Sequence, residues 1–247
     1  MIDRCFNLFP GVGPKARQVL RDAGIVTWQD FLRRPPSLGL PGTLCAKLDA
    51  QLPQWMQALD DADAMFFADH LPKTEHWRLF EMFRDSVRYL DIETTGLSAG
   101  YHDVTVVGIS DGKHYQSLVL GQTLDHDHLL ETLDGCKLLI TYFGRTFDVP
   151  FLRKTYPDIA WNYPHFDLCF AGRKVGLRGG LKNIEITLGL ARPESIRHID
   201  GFEAVRLWHR HQAGDPQALE TLIAYNRADT ENLAVIAPVV YERLCQK

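Results

Sequence analysis

The sequence VRYLDIETTG, residues 87–96, gives the strongest indication of the fold. A hydrophobic period close to two along its first seven residues predicts a β-strand, and Gly96 marks a turn after it. Asp91 and Glu93 lie two residues apart in this strand, so both carboxylates leave the same face and can converge on one cation. A solvated strand end would give the same local pattern, so the pair needs support from the rest of the chain.

The residues after this strand predict an α/β domain that extends over residues 84–247. Three further strands are predicted at residues 103–110, 114–120 and 137–142, and two helices at residues 127–133 and about 149–156. The C-terminal half is predicted to be mostly helical. The order β-β-β-α-β-α indicates a mixed sheet that is covered by helices.

The residues before this strand predict a small all-α domain over residues 1–80. Its short amphipathic runs are broken by glycine and proline, at residues 15–23, 27–32, 44–52 and 54–64. The chain thus divides into a helical N-terminal part and a larger α/β part.

Composition is typical of a soluble globular protein. The chain has 247 residues, 45% of them hydrophobic, and a formal net charge of -4, so it does not coat nucleic acid with generic positive charge. Five scattered cysteines without a C-x-x-C pair suggest reduced thiols, neither a disulfide framework nor a zinc site. There is no apolar run of about 20 residues and no signal-like N-terminus, so we expect a cytoplasmic protein without membrane contact.

Three more residues are candidates for the same cation site. Asp148 follows an apolar predicted strand through a glycine-containing loop, and it could equally be the N-cap of the next helix. Tyr225 and Asp229 lie four residues apart in a predicted helix that begins near Asp215, so the phenol and the carboxylate share a face. A tyrosine packed over its own helix is the structural alternative for that pair.

Taken together, these motifs resemble the DnaQ-like, or DEDD, exonuclease superfamily. The resemblance rests on D-x-E at residues 91–93, Phe-Asp at residues 147–148 and Y-x-x-x-D at residues 225–229, and the tyrosine places the chain near the tyrosine subgroup. EHWRLF at residues 75–80 and GLK at residues 180–182 make it similar to the YprB-like RNase H-like proteins. The resemblance covers roughly residues 66–247 and implies an RNase H-like fold with a mixed five-stranded sheet.

The same resemblance implies a two-metal-ion 3′→5′ exonuclease. It places Asp91 between two cations, Glu93 and Asp229 on the ion that activates water, and Asp148 on the second ion. Tyr225 would orient the water. Carboxylate oxygens without cysteine or clustered histidine suit Mg²⁺ or Mn²⁺, and two such ions about 4 Å apart serve phosphodiester hydrolysis.

One position departs from the family pattern. Relatives usually carry an asparagine ahead of the Phe-Asp motif, and the matching place holds Phe143. This substitution puts rate and substrate orientation in doubt more than metal binding. A nucleic-acid-binding module with weak or no turnover is therefore an alternative to the enzyme.

The expected substrate is a nucleic acid with a 3′ end, and the N-terminal segment favours DNA over RNA. Residues 8–32 resemble a helix-hairpin-helix, whose turn at Gly11 and Gly13 would offer backbone N–H groups to a phosphate. Lys15 and Arg17 are the candidate contacts beside it. A helical cap that uses its glycines only for tight turns fits the residues equally well, and an RNA 3′→5′ exoribonuclease is the alternative enzyme.

A basic stretch between the middle and last motifs supplies two more candidates, Arg178 and Lys182. We expect them near the substrate backbone if the loop that carries them lies beside the cleft. A solvated loop without such a contact is the competing interpretation.

Overall fold

A five-stranded mixed sheet forms the centre of the molecule in a computed structural model that describes residues 2–246. The strands are β1 (Val87–Thr94), β2 (Val104–Ser110), β3 (Tyr115–Val119), β4 (Leu138–Thr141) and β5 (His165–Asp167), in the spatial order β3-β2-β1-β4-β5. The α/β fold class with a five-stranded mixed sheet is confirmed.

The register of β1 positions the expected site. β1 runs antiparallel to β2, with Asp91 opposite Gly108, and the register shifts between Glu93 and Thr94. β1 runs parallel to β4, and β4 runs parallel to β5. The carboxyl ends of these three parallel strands therefore lie at one edge of the sheet, which is where open α/β sheets bind ligands.

Eleven α-helices are found among residues 2–246. They are α1 (Pro14–Asp22), α2 (Trp28–Leu32), α3 (Gly42–Asp60), α4 (Ala64–His70), α5 (His126–Thr132), α6 (Asp148–Thr155), α7 (Leu168–Lys174), α8 (Leu181–Thr187), α9 (Glu194–Arg197), α10 (Gly201–Gln212) and α11 (Pro216–Cys245). None of the helices in this part of the chain is long and apolar enough to cross a membrane.

One prediction about these elements was wrong. The two helices expected at residues 44–52 and 54–64 form one continuous helix, α3, with Pro53 inside it. Leu48, Leu52 and Trp55 are buried on this helix, and we infer that their packing outweighs the helix-breaking tendency of the proline. The fifth strand of the predicted sheet, β5, has only three residues, too few to show a period of two, so its place in the chain could not be predicted.

The N-terminal helices share their core with the sheet. Phe9, Trp28 and Trp55 form an edge-to-face aromatic group. This group belongs to one hydrophobic cluster that continues through Phe80 and Ile140. The boundary between residues 80 and 84 stays a prediction.

The long helix α11 packs closely on the centre of the sheet. It lies against β1 and β2, and Gly108 of β2 makes the close approach possible. A Cβ atom added at Gly108 would lie 2.6 Å from Thr230 Oγ1 and closer still to Asn226 Oδ1. The absence of a side chain at Gly108 therefore sets how near α11 comes to Asp91 on the neighbouring strand.

Candidate active site

Three acidic side chains meet where β1 faces α11. The strand supplies Asp91 and Glu93, the helix supplies Asp229, and one carboxylate oxygen from each lies within 4.8 Å of the others. Glu93 and Asp229 are buried, whereas Asp91 is partly exposed. The ligands are all hard oxygen atoms, which fits a divalent cation such as Mg²⁺ or Mn²⁺.

Asp148 lies beside this group but outside the three-residue cluster. It is the first residue of α6, and Phe147 takes the N-cap position, so the N-cap interpretation of Asp148 was wrong. Its Oδ1 atom accepts a hydrogen bond from the Ile92 backbone N–H at 3.1 Å. That bond ties α6 to β1 between Asp91 and Glu93. We call Asp91, Glu93, Asp148 and Asp229 the carboxylate centre.

Burial raises the pKa of every acid in the carboxylate centre, and repulsion between its members adds to this for Asp91, Glu93 and Asp148. Burial is the largest cause for Asp91 and Glu93, the charge of Asp229 adds to it, and both pKa values lie well above their usual range. Burial raises the pKa of Asp148 to about 7 and that of Asp229 to about 6. All four acids can therefore be ionised together only when cations neutralise them, and otherwise some of them bind protons.

Asn226 orients two of the acids from α11. Its side-chain amide donates to Asp91 Oδ2 at 2.9 Å and to Glu93 Oε1 at 3.4 Å. Its own oxygen accepts from the Tyr115 hydroxyl at 2.9 Å. Because Asn226 is fully buried, this network fixes the direction of both carboxylates before any ligand arrives.

Arg192 holds the third acid. Its guanidinium donates to Asp229 Oδ1 and also makes a two-pronged ion pair with Glu185, with both N···O distances at 2.6 Å. Asn232 donates to the same Glu185 at 2.9 Å. Arg192 and Glu185 are both buried, so this pair forms an internal support for Asp229.

Tyr225 lies one turn before Asp229 on α11, and its phenol lies close enough to that carboxylate to lower the carboxylate's pKa. Burial and the nearby acids raise the pKa of Tyr225. The Arg192 guanidinium carbon lies 5.5 Å from the centre of the Tyr225 ring. The shared helical face predicted for Tyr225 and Asp229 is thus present in the structure.

Residues 88–241 match the family described as the RNase H superfamily, which is more than half of the chain. The chain belongs to the RNase H superfamily. No curated protein matches it. Its RNase H domain shares a fold with solved structures of low sequence identity.

The NrnC protein of Brucella melitensis bound to pGG is 22% identical with a TM-score of 0.50, covering 68% of this chain and 77% of that chain. NrnC with bound Mg²⁺ is 21% identical with a TM-score of 0.50, covering 68% and 77%. The family B DNA polymerase of Pyrobaculum calidifontis is 15% identical with a TM-score of 0.50, covering 62% and 24%. At these identities the likeness supports the fold alone.

The predicted nucleic-acid contacts are spread over the RNase H domain and the N-terminal helices. Lys182 lies with its Nζ atom 5.6 Å from the centre of the Tyr225 ring and donates to the Ile199 carbonyl, so it borders the carboxylate centre. Arg178 is exposed in the loop before α8. The structure thus brings one of these two residues to the site.

The glycine turn at the N-terminus leads directly into α1. Gly11 has a φ of 96°, and Gly13 is the N-cap of α1. Lys15 and Arg17 are exposed on the first turns of that helix. Two 3-10 turns, Ile2–Arg4 and Phe6–Leu8, precede the glycine turn in place of a first α-helix.

Sequence reasoning missed Asn226, Glu185 and Arg192. Asn226 had a usable signal, because it lies three residues before Asp229 and so shares its helical face. Glu185 and Arg192 had none, since a charged residue after a glycine-rich loop suggests solvent exposure until the fold encloses it.

Proposed function

We propose that this protein is a metal-dependent 3′→5′ exonuclease of the DEDD type, in the tyrosine subgroup and similar to YprB-like proteins, acting on single-stranded DNA. The observation that carries the proposal is the convergence of Asp91, Glu93 and Asp229 within 4.8 Å. Tyr225 on Asp229 and Asp148 on the backbone of β1 supply the remaining residues of that pattern.

The carboxylate centre would hold two divalent cations, Mg²⁺ or Mn²⁺. Asp91 would bridge them, Glu93 and Asp229 would complete one site, and Asp148 would hold the other. When bound, the cations supply positive charge to the phosphoryl oxygens and to the leaving 3′ oxygen of a phosphodiester. The neighbour NrnC, solved with bound Mg²⁺, supports the choice of metal.

The residues of this chain prepare the site in two ways. Asn226 and Arg192 fix the directions of three carboxylates, which lowers the cost of assembling a reactive geometry. The raised pKa of Tyr225 keeps its phenol protonated at neutral pH, so it acts as a hydrogen-bonding group that orients the attacking water. It does not serve as a general base under these conditions.

The substrate is proposed as DNA because of the glycine turn at Gly11 and Gly13 with exposed Lys15 and Arg17 beside it. In this proposal residues 1–80 form a nucleic-acid-binding domain and residues 84–247 the catalytic domain, with Arg178 and Lys182 near the substrate backbone. RNA is the second candidate substrate, because no residue of the motifs is assigned to the ribose 2′-OH. The neighbour NrnC was solved bound to pGG, which supports a nucleic acid substrate of either kind.

A digestion assay tests the function. A 5′-labelled single strand, as DNA and as RNA, is incubated with Mg²⁺, Mn²⁺ or EDTA and with wild-type protein or Asp91→Asn. We expect a ladder that shortens from the 3′ end only with wild-type protein and metal. A metal-dependent ladder on RNA alone would replace the DNA proposal. Binding without metal-dependent products on either strand would contradict the enzyme and support a binding module.

A further inference from the structure

Phe143 has a backbone conformation that a bulky residue rarely adopts. Its φ is 66°, in the left-handed region that favours glycine and asparagine. The backbone is held there by Asp167, whose carboxylate oxygens each accept a bond at 3.0 Å, one from the Phe143 N–H and one from the Arg145 N–H. Asp167 thus fixes the loop that carries Phe143. A bulky phenylalanine occupies a backbone conformation that suits glycine or asparagine better.

The ring of Phe143 contributes little to the core. The residue is 39% exposed, which makes it one of the large hydrophobic side chains on the surface. Its ring lies 5.8 Å from that of Phe170 on α7, at an angle of 34°. Backbone strain concentrates at functional sites. A strained residue that gains so little burial is therefore a candidate for contact with a ligand.

Phe143 is at the same sheet edge as the carboxylate centre. It lies two residues beyond the end of β4, which runs parallel to β1, so both strands end at this edge. The carbonyl of Gly144 accepts the Val149 N–H at 2.9 Å. One compact loop therefore connects Phe143 to Asp148.

Positive charge surrounds the neighbouring ring. The guanidinium carbons of Arg145 and Arg173 lie 5.9 Å and 5.7 Å from the centre of Phe170, and Arg173 is exposed on α7. Paired aromatic rings beside guanidinium groups match a nucleobase with its phosphate, because bases of any sequence stack on aromatic faces while the backbone meets the cations.

We propose that Phe143, supported by Phe170, is a stacking surface for a base of the single-stranded substrate near its 3′ end, with Arg173 facing the substrate backbone. The proposal rests on the proposed exonuclease function and assigns it a subsite. It gives a role to the position where the expected asparagine is missing. A base that is free to stack is required, which selects unpaired strands.

Steady-state cleavage by Phe143→Asn and Phe143→Tyr tests the subsite. The substrates are 5′-labelled strands of DNA and of RNA, intact or with an abasic position at one of the last three nucleotides. For Phe143→Asn we expect a KM that rises about tenfold or more on the intact strand. The readout is KM and not kcat, because asparagine is the residue that relatives carry here and its amide can change the rate. For Phe143→Tyr the KM should stay within about twofold of wild type, because an aromatic face remains.

The abasic strands separate stacking from a structural effect. At the position that stacks, removing the base should raise the wild-type KM about tenfold and leave that of Phe143→Asn unchanged. Asparagine suits the left-handed backbone, so the Tm of Phe143→Asn should be no lower than that of wild type. If wild type cleaves the strand and Phe143→Asn has the same KM as wild type, the stacking proposal is overturned and the exonuclease proposal stands. No cleavage by wild type would instead overturn the exonuclease proposal on which it rests.

Discussion

The sheet carries two buried polar clusters, one at β4 and β5 and one at β1, and they differ in what satisfies them. In the first, the His165 backbone N–H donates to His76 Nδ1 at 2.9 Å, and the ring atom Nε2 of His165 lies 2.8 Å from Thr141 Oγ1. His76 Nε2 contacts the Leu71 carbonyl at 3.3 Å. Burial lowers the pKa of His76 to about 4 and of His165 to about 3, so both rings are neutral.

The carboxylate centre has no such internal balance. Its four acids and Glu185 face one buried guanidinium, Arg192, which is already shared between Glu185 and Asp229. A neutral cluster that satisfies its own hydrogen bonds supports the fold. A cluster of like charges that the other side chains of residues 2–246 leave uncompensated indicates a site for a cation. The contrast between these two clusters is the main physical reason to assign function to one and structure to the other.

Removing Arg192 should have the largest effect on stability. Arg192→Met leaves Glu185 and Asp229 without their buried partner, and breaking such a pair costs about 3–5 kcal/mol of unfolding free energy. Urea unfolding in EDTA measures the change. The matched control is Arg197→Met, because Arg197 pairs with Glu194 on the surface and such pairs contribute less than about 1 kcal/mol. Equal effects of the two substitutions would contradict the support role of Arg192.

Substituting Gly108 should have an intermediate effect. Gly108→Ala places a methyl group against Asn226 and Thr230, which forces α11 or the Asn226 amide to move, at a cost of about 1–3 kcal/mol. Nuclease activity should fall along with stability, because Asn226 directs Asp91 and Glu93. Gly201→Ala is the control, since no atom lies within 4 Å of its added Cβ. A Gly108→Ala protein with wild-type stability and activity would show that this close approach is unimportant.

The titration of Asp148 should give the smallest change in unfolding free energy, counted per pH unit. With a folded pKa of about 7, raised from 3.8 by burial, the metal-free folded protein binds a proton that the unfolded chain has lost between about pH 4 and pH 7. The stability contributed by Asp148 is present below this window and lost as pH rises through it, by at most about 1.4 kcal/mol per pH unit.

Comparing metal-free wild type with Asp148→Asn from pH 4 to pH 8 isolates this group. The asparagine oxygen can still accept the Ile92 N–H, so the variant should gain stability relative to wild type as pH rises. A stability difference that is flat with pH would contradict the assignment. The histidine cluster has the opposite sign, because its lowered pKa values remove stability as pH falls through 6.5 towards 4.

Much of the fold and of the acidic site could be predicted from the sequence, because both depend on short periods. The spacing of two in β1 and of four in α11 placed Asp91, Glu93, Tyr225 and Asp229 correctly on their elements. The rest depends on contacts distant in the chain. Arg192 reaches Asp229 across 37 residues and Phe143 depends on Asp167 across 24, and no local period reports such pairs.

The thermal stability of wild type and Asp91→Asn, each with Mn²⁺ and with EDTA, tests whether the carboxylate centre binds a cation. If the carboxylate centre is a cation site, wild type should be the less stable protein in EDTA, because Asp91→Asn removes one of the repelling charges. With Mn²⁺ the order should reverse, since only wild type gains binding energy. A wild-type Tm that does not respond to Mn²⁺, or that responds no more than that of Asp91→Asn, would contradict the account.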